Sequence, residues 1–300
     1  MKKNLNLVTA FLIAIVFVAC NNNDENETPT IGSLTLNLNG LEELGSNYVY
    51  EGWLIVNGNP ISTGTFTSAT FPQSFDVEQT VLESATTFVL SIEPAGETGA
   101  AALAPAATKV LAGDFSGNSA SVKVAPVTTN ASDFTDASGN FFLRTPTDET
   151  SETGNNGNDH YGIWFGTPGA PPTSGLNLPE LAPGWVYEGW VVVDGVGPIS
   201  TGTFTVSTQR DSSNGFSGTQ SNAGPPVPGE DFFLNAPTGF TFPLDVRGRT
   251  AVISIEPSPD DSPAPFALKP LVGVAGQETA PATHNLGQNL SSLPTGTVTR

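Results

Sequence analysis

The sequence predicts an all-β protein built from two tandem duplicated, sandwich-like β domains that follow a signal peptide and a flexible tether. The string YVYEGWLIVNGNPISTGTFT at residues 48–67 returns almost unchanged at 185–205 as WVYEGWVVVDGVGPISTGTFT. Short runs of alternating apolar and polar residues recur between Gly, Pro, Asn and Asp, and no stretch of the mature chain sustains a helical period. The chain has 300 residues, which is enough for two domains with cores of their own.

Residues 1–19 have the composition of a bacterial signal peptide. Lys2 and Lys3 are followed by an apolar run from residue 5 to residue 18, too short to span a bilayer comfortably. The run ends in Ala19 and Cys20, and Cys20 is the only cysteine. This ending resembles a lipobox, with Phe17 where leucine is usual, so we predict that Cys20 carries the lipid. The alternative is an ordinary signal peptide cut near Ala19, with Cys20 incidental.

Residues 20–30 are predicted to form the lipidated cysteine and its tether. The segment NNNDENETPT (21–30) lacks apolar side chains, as flexible tethers do. Its acidic residues directly after the cysteine resemble the export signal of bacterial surface lipoproteins, although a soluble spacer explains them equally well. With no second cysteine, a disulfide and a zinc–thiolate site are excluded in the mature protein.

The first β domain is predicted at residues 31–148. It opens with the strand GSLTLNLNG near Ile31, and the doubled string then forms a hairpin with 57–60 as its turn. Pairing Val56 with Ile61 places Trp53 opposite Gly64, where an indole would cover a strand glycine. The next strand, FVLSIE (88–93), alternates between two faces and stops at a proline. Further strands are expected within 113–124 and 139–148.

The second β domain is predicted at residues 161–300, after a linker at 149–160 that has no apolar side chain. With residues 194–198 as its turn, Val193 pairs with Ile199 and Trp190 lies opposite Gly202. Residues 209–232 form an insertion that we predict to be a surface loop. Pattern alone does not decide between a sandwich and a barrel. The matched positions keep their order, which indicates domain duplication: residues 49–53 match 186–190, 60–67 match 198–205, 91–94 match 254–257, and Leu41, Glu43 and Leu44 match Leu178, Glu180 and Leu181.

The chain is strongly acidic. Lysine and arginine total 10 against 29 acidic residues, a formal net charge of −19. Such a surface repels a polyanion, so we exclude nucleic acid as a partner. No glycine-rich phosphate loop lies between a strand and a helix, and no cofactor is expected.

Four repeated glutamates are the first candidates for chemistry: Glu51 with Glu93, and Glu188 with Glu256. Paired carboxylates carry out glycoside hydrolysis. Their repetition follows from the duplication alone, however, and we interpret them as satisfying backbone groups or facing solvent. We therefore expect no enzymatic activity.

The remaining candidates are also weak. His160 and His284 have no partner at the spacing of a triad or a zinc site. The loops 133–140 and 154–160 are rich in Asp, Asn and Gly but do not fit a calcium loop, and solvated turns are the preferred interpretation. Trp164 and Trp185 could line a sugar-binding face, although packing in the core or between domains is the more common role.

Three segments of the first copy, YEGWLIVNGNPISTGTF, VLSIEPAGETGA and LAGDFSGNSASVKV, resemble the extracytoplasmic C-terminal domain of anti-sigma-K-type regulators. The shared positions in the first copy are Trp53, Gly64, Phe66, Glu93, Pro94 and Gly96. The second copy keeps Trp190, Gly202, Phe204, Glu256 and Pro257 but has Ser258 and Pro259 where the glycine would follow.

The resemblance implies an envelope-exposed sensing or partner-binding module, present twice. The helical domain that holds the sigma factor and the membrane helix of those regulators have no counterpart here, so sigma-factor binding is not carried over. We expect a lipoprotein of the bacterial cell envelope, anchored to the outer membrane and either periplasmic or surface-exposed. Its expected partners are the membrane, through the lipid, and an envelope protein or glycan. The alternative is a structural or adhesive surface lipoprotein that binds glycan or matrix.

Overall fold

A computed structural model describes residues 29–149, 155–219, 224–259 and 262–300. The signal peptide, Cys20 and most of the tether therefore lie outside the described residues. Nearly all regular structure is β, which confirms the predicted fold class. Among the described residues, no helix is both long and apolar enough to cross a membrane.

The first half of the chain contains eight strands and one short helix, α1 (Gln79–Ser84). Two 3₁₀ turns, Ala101–Leu103 and Ala125–Val127, lie in its connections. The strands are β1 (Ile31–Asn39), β2 (Tyr48–Val56), β3 (Asn59–Phe66), β4 (Gln73–Glu78), β5 (Thr87–Pro94), β6 (Lys109–Ser116), β7 (Ser119–Val122) and β8 (Ser138–Phe141).

The second half is also built from strands, with 3₁₀ turns at Pro146–Asp148, Asp159–Tyr161 and Leu290–Ser292. The strands are β9 (Gly162–Trp164), β10 (Gly166–Thr167), β11 (Thr173–Ser174), β12 (Leu176–Asn177), β13 (Trp185–Val193), β14 (Gly197–Phe204), β15 (Gly229–Asp231), β16 (Thr250–Pro257), β17 (Leu271–Val274), β18 (His284–Gln288) and β19 (Thr295–Thr299).

Two large antiparallel sheets hold these strands. The first has the order β3-β2-β5-β6-β7-β19-β1-β4, and the second has the order β12-β8-β18-β17-β16-β13-β14. Two small ribbons, β10-β11 and β15-β9, complete the described sheets. At the two ends of the first sheet the rings of Phe66 and Phe75 lie 5.7 Å apart between centroids, so this sheet curls toward a barrel.

The two sheets have matching strand orders. When the first sheet is followed from β3 and the second from β14, β2 corresponds to β13, β5 to β16, β6 to β17, β7 to β18 and β1 to β12. The position between β7 and β1 is filled by β19, from the end of the second copy. The equivalent position between β18 and β12 is filled by β8, which follows β7 in the first copy. Each copy therefore gives one strand to the sheet of the other.

The exchanged strands have similar sequences and similar surroundings. Ser138-Gly139-Asn140-Phe141 aligns with Thr295-Gly296-Thr297-Val298, each with a glycine two residues before an apolar residue. Gly139 lies opposite Leu176 and Leu286 in the second sheet, and Gly296 lies opposite Leu38 and Val122 in the first. Any side chain on these glycines would overlap neighbouring leucines. A glycine is therefore needed at the equivalent position of both sheets.

The boundary between the sheets differs from the boundary predicted along the chain. The division into 31–148 and 161–300 assigns β8 to the first domain and β19 to the second, whereas each strand is hydrogen-bonded in the opposite sheet. The physical reason is that β8 and β19 occupy equivalent positions in the two sheets. One continuous hydrophobic cluster also includes residues of both halves, from Leu34 to Val298.

The chain end is fixed on the first copy by Arg300. Its guanidinium donates to the carbonyl oxygens of Leu82 and Ala85 near the end of α1 and to that of Gly117. The same group lies 4.3 Å from the centroid of the Phe115 ring, a distance typical of a cation–π contact. These contacts hold β19 in the first sheet.

The predicted hairpin register is wrong. The turn is the two-residue pair Asn57-Gly58, both with positive φ, so Val56 pairs with Asn59 and Leu54 with Ile61. A bulge then places Gly52 opposite Gly64 and Trp53 opposite Ser62. The second copy repeats this pattern, with Gly189 opposite Gly202 and Trp190 opposite Ser200. The repeated glycine marks a bulge with positive φ and is not covered by an indole.

Candidate functional site

The first candidate is a row of polar groups that joins β2 to β5 in the first copy. Trp53 Nε1 donates to Ser91 Oγ over 2.8 Å, and the Ser91 hydroxyl donates to Glu93 Oε1. The same carboxylate accepts the backbone N–H of Ala106 over 2.8 Å. Glu93 is 1% exposed, and burial raises its pKa above the ordinary value. This chain of hydrogen bonds fastens the loop that follows Pro94 to the sheet.

The second copy repeats the same arrangement. Trp190 Nε1 donates to Ser254 Oγ over 2.8 Å, and Ser254 donates to Glu256. Glu256, which is fully buried, accepts the backbone N–H of Phe266 at 3.0 Å from Oε1 and 3.1 Å from Oε2. Both indoles are at most 2% exposed, as the duplicated strand pattern predicts for core residues.

The other two glutamates hold the bulge. Ser62 donates to Glu51 and accepts the N–H of Gly64 over 3.1 Å, and in the second copy Ser200 donates to Glu188 and accepts the N–H of Gly202 over 3.0 Å. Glu51 is 9% exposed and Glu188 is 6% exposed. All four repeated glutamates are thus engaged inside the sheets. Glu93 and Glu256 accept backbone N–H groups, as one of the two interpretations from the sequence holds. Glu51 and Glu188 instead accept serine hydroxyls, which the sequence did not predict.

The two histidines lie in different structural settings. His284, on β18, accepts the N–H of Gly276 at Nδ1 over 3.2 Å, and its Nε2–H then donates to the carbonyl oxygen of Glu278 over 2.9 Å. His160 packs against Tyr161, with ring centroids 4.1 Å apart.

The two remaining tryptophans are packing residues. Trp164 is 1% exposed, and its Nε1 donates to Asp231 Oδ1 over 3.0 Å and to the Arg144 carbonyl oxygen over 3.1 Å. Trp185 is 3% exposed and packs against Phe266 at 6.1 Å between ring centroids. Neither ring offers an open face to a sugar.

The insertion 209–232 is a surface loop only in part: residues 209–219 are exposed or half-buried, as the sequence predicts, whereas residues 227–232 are buried. Its ends carry three largely buried carboxylates, of which Asp211 accepts the N–H of Gly229 and Glu230 accepts that of Phe216. Asp231 accepts both the N–H and the hydroxyl of Thr147. Burial raises the pKa of Asp211 and of Asp231 to about 7. The signal that could have indicated burial is the segment GEDFF, where acidic residues stand directly beside aromatic ones.

The Asp- and Asn-rich loops form turns and caps. Asp133 accepts the N–H and hydroxyl of Thr135, and residues 138–140 belong to β8. In the described part of 154–160, Asp159 is buried and accepts the N–H of Thr145 and an N–H of Asn155. Within the residues that the structure describes, no three His, Cys, Asp or Glu side chains are grouped so as to hold a metal ion.

A mostly apolar cavity lies between the two copies in the described part of the chain, and we call it the inter-copy cleft. It has a volume of about 430 Å³. Sequence reasoning missed it because its walls come from segments far apart in the chain. The first copy contributes Glu42, Glu43, Leu44, Gly45, Tyr48, Ile92, Pro94 and 106–108, and the second contributes Gly184, 257–259, Ser262 and Phe266.

The cleft forms where equivalent strand ends of the two copies converge. Tyr48 at the start of β2 pairs with Pro94, and Trp185 at the start of β13 pairs with Pro257. Both prolines end their strands because they have no N–H to donate. The ring of Trp185 packs against that of Phe266, so the second-copy wall of the cleft is part of the packed core.

Gly184 brings the copies into contact beside the cleft. Its φ of +92° suits glycine, and a Cβ there would lie 3.0 Å from the Cβ of Ala107. Its carbonyl oxygen accepts the N–H of Ser258 over 2.8 Å, which ties it to the segment after β16. A side chain at this position would push the two walls apart.

Comparison with known proteins gives one family match. Residues 27–110 match the family model described as "Anti-sigma-K factor rskA, C-terminal". No curated protein and no solved structure matches the chain. The matched range runs from the end of the tether to the start of β6, which includes the hairpin, Glu51, Glu93 and the first-copy wall of the cleft. This part of the first copy is therefore similar to an anti-sigma-factor C-terminal domain.

Proposed function

We propose that the protein is a cell-envelope lipoprotein whose two anti-sigma-factor-like β modules act together as one binding or sensing unit. The family match at 27–110 is the observation that carries this proposal. The match concerns a C-terminal domain, so the proposal includes binding or sensing and does not include sigma-factor binding. The N-terminal sequence, with its basic start, apolar run and Cys20, supports export and lipid attachment.

The inter-copy cleft is the proposed binding site. Its volume of about 430 Å³ lies in the usual range for ligand sites, about 300–1,000 Å³. Both copies contribute walls, and exchanged strands and a common core hold them together. A site of this kind exists only in the duplicated protein.

A pull-down from detergent-solubilised envelopes tests the proposal, with the mature chain from Asn21 as bait. We expect one envelope component to be retained stoichiometrically. The control bait carries Gly184→Val, which separates the cleft walls, and should retain less. Capture of glycan or matrix material, undiminished by Gly184→Val, would instead support the structural or adhesive alternative. The observation that favours this alternative is that each copy gives one strand to the sheet of the other, which ties the two copies together by backbone hydrogen bonds.

Lipid attachment and location are tested separately in cells. Fatty-acid labelling of the wild-type protein is expected, together with its loss on Cys20→Ser. Surface proteolysis of intact cells then distinguishes a periplasmic from a surface-exposed protein. An unlabelled wild-type protein in the cytosolic fraction would contradict the proposed envelope role.

A further inference from the structure

We infer that the inter-copy cleft binds a small cationic molecule with an apolar body. The inference rests on the proposed binding function and adds the chemical class of the ligand. Charge, aromatic content and shape of the cleft carry it.

The charged side chains that line the cleft are all carboxylates. Glu42 and Glu43 stand on its first-copy wall, and none of its described lining residues is lysine, arginine or histidine. An anionic ligand would enter a mostly apolar cavity without a counter-charge, which is costly. A cation would lie beside the exposed Glu43 in a protein whose formal net charge is −19, so the field of the whole molecule attracts it.

The aromatic lining favours the same class. Two aromatic residues, the half-buried Tyr48 and the 5% exposed Phe266, line the cleft from opposite copies. Aromatic faces attract cations through their negative quadrupole, and the attraction grows when water is excluded. Ile92, Leu44 and the two strand-ending prolines supply apolar surface for the rest of the ligand. A ligand with a positive group on an apolar body therefore complements the acidic, the aromatic and the aliphatic residues of the lining.

The repeat supplies a matched control. Glu43 and Glu180 are equivalent in the two copies, and both side chains are exposed. Glu43 lines the inter-copy cleft, whereas Glu180 lines a different, smaller depression of about 260 Å³ beside Tyr187. The same charge change at the two positions alters the net charge equally, and only the change at Glu43 alters the cleft.

The experiment is a fluorescence titration of the purified mature chain with rhodamine 6G, an apolar cation, and with 8-anilinonaphthalene-1-sulfonate, an apolar anion. We expect saturable one-to-one binding of the cation at least about ten-fold tighter than that of the anion. Glu43→Lys should weaken cation binding by about five-fold to ten-fold, while Glu180→Lys should change it by less than about two-fold. Tyr48→Leu should also weaken it, and circular dichroism shows whether that variant folds.

Two results would overturn the inference in different ways. If the anion binds as tightly as the cation and Glu43→Lys has no larger effect than Glu180→Lys, the charge class is wrong. If neither dye saturates a site while the fatty-acid label and envelope location hold, the cleft is not a ligand site. In that second case lipid attachment and envelope location stand, and the cleft as the proposed binding site does not.

Discussion

The two copies share their hairpin and its buried hydrogen bonds, but they complete the sheet differently. Between β3 and β5 the first copy has residues 67–86, which form β4 and α1. Between β14 and β16 the second copy has residues 205–249, more than twice as long, and they include the partly buried Asp211 and the fully buried Glu230 and Asp231. The hairpin and its buried hydrogen bonds are common to both copies, so the β unit needs them. The segments that differ between the copies can be replaced.

The aromatic ring over the hairpin glycine shows such a replacement. In the first copy Phe88 on β5 covers Gly52, and a Cβ on that glycine would lie 3.1 Å from the ring. In the second copy the equivalent strand position is Ala251, and the ring over Gly189 belongs to Phe165, which follows β9. A residue from elsewhere in the chain thus fills the volume that the alanine leaves, because a buried cavity of that size would be costly.

Removal of residues 295–300 should have the largest effect. It leaves β7 and β1 without their shared neighbour and removes Arg300 from α1. We expect the first sheet to lose cooperative folding, a loss comparable to the whole stability of a domain, about 5–15 kcal/mol. Limited proteolysis followed by mass spectrometry should show cleavage within 31–122 before cleavage within 176–288. Equal resistance of both regions to the protease would contradict this prediction.

Truncation of the repeated tryptophans compares the shared parts of the copies directly. Trp53→Ala and Trp190→Ala should each reduce the free energy of unfolding by about 3–5 kcal/mol, since each removes a buried ring and the donor to a buried serine. Denaturant unfolding measures the two losses. Trp53→Phe keeps most of the volume and should cost less than Trp53→Ala. Losses under about 1 kcal/mol would mean that these indoles are not core residues.

The ring replacement can be tested by moving the ring back. Phe165→Ala should reduce the free energy of unfolding by about 3–5 kcal/mol, as truncation of a buried phenylalanine usually does. Adding Ala251→Phe should recover part of this loss, because residue 251 occupies the position of Phe88. Thermal denaturation of the single and double variants measures the recovery. If Ala251→Phe is equally harmful with and without Phe165→Ala, the two sites do not share the volume.

The pH dependence of stability should differ between the copies. Burial raises the pKa of Asp211 and Asp231 from 3.8 to about 7, and the nearby Glu230 adds to both shifts, while Arg210 opposes that of Asp211. The folded state therefore holds protons that the unfolded state releases between about pH 4 and pH 7, so these groups lower stability as the pH rises through that window.

Thermal melting at several pH values measures this effect. Asp211→Asn should flatten the fall in melting temperature between pH 4 and pH 7. The control is Asp245→Asn: Arg247 lowers the pKa of Asp245, so that group changes stability only below about pH 4, and this variant should keep the wild-type slope between pH 4 and pH 7. An unchanged slope for Asp211→Asn would mean that this carboxyl is not buried in solution.

Much of the fold follows from local sequence. The duplication, the strands around Trp53 and Trp190, and the strand ends at Pro94 and Pro257 are all evident in the pattern. The register was wrong because Asn57-Gly58 closes a tighter turn than the four-residue loop expected, and the bulge at Gly64 then compensates. The turn type and the bulge together determine the hairpin register. The alternation of apolar and polar residues alone predicts neither of them.

The strand exchange and the cleft could not be read from the sequence. Gly139 and Gly296 stand in tetrapeptides with the same pattern, a glycine two residues before an apolar residue, so the local sequence does not indicate which sheet each strand joins. The cleft depends on that choice, because it joins residues near Pro94 to residues near Pro257. The burial of Asp211 likewise depends on partners such as Gly229, eighteen positions further along the chain.

Disulfide trapping tests the strand exchange most directly, since the mature chain from Asn21 has no cysteine. Asn37 and Thr297 are opposite each other on β1 and β19, within reach of a disulfide. We predict that Asn37→Cys with Thr297→Cys forms an intramolecular disulfide, whereas Asn37→Cys with Asn140→Cys does not. Cross-linking of the second pair in place of the first would show that each copy keeps its own strand, and would contradict the account.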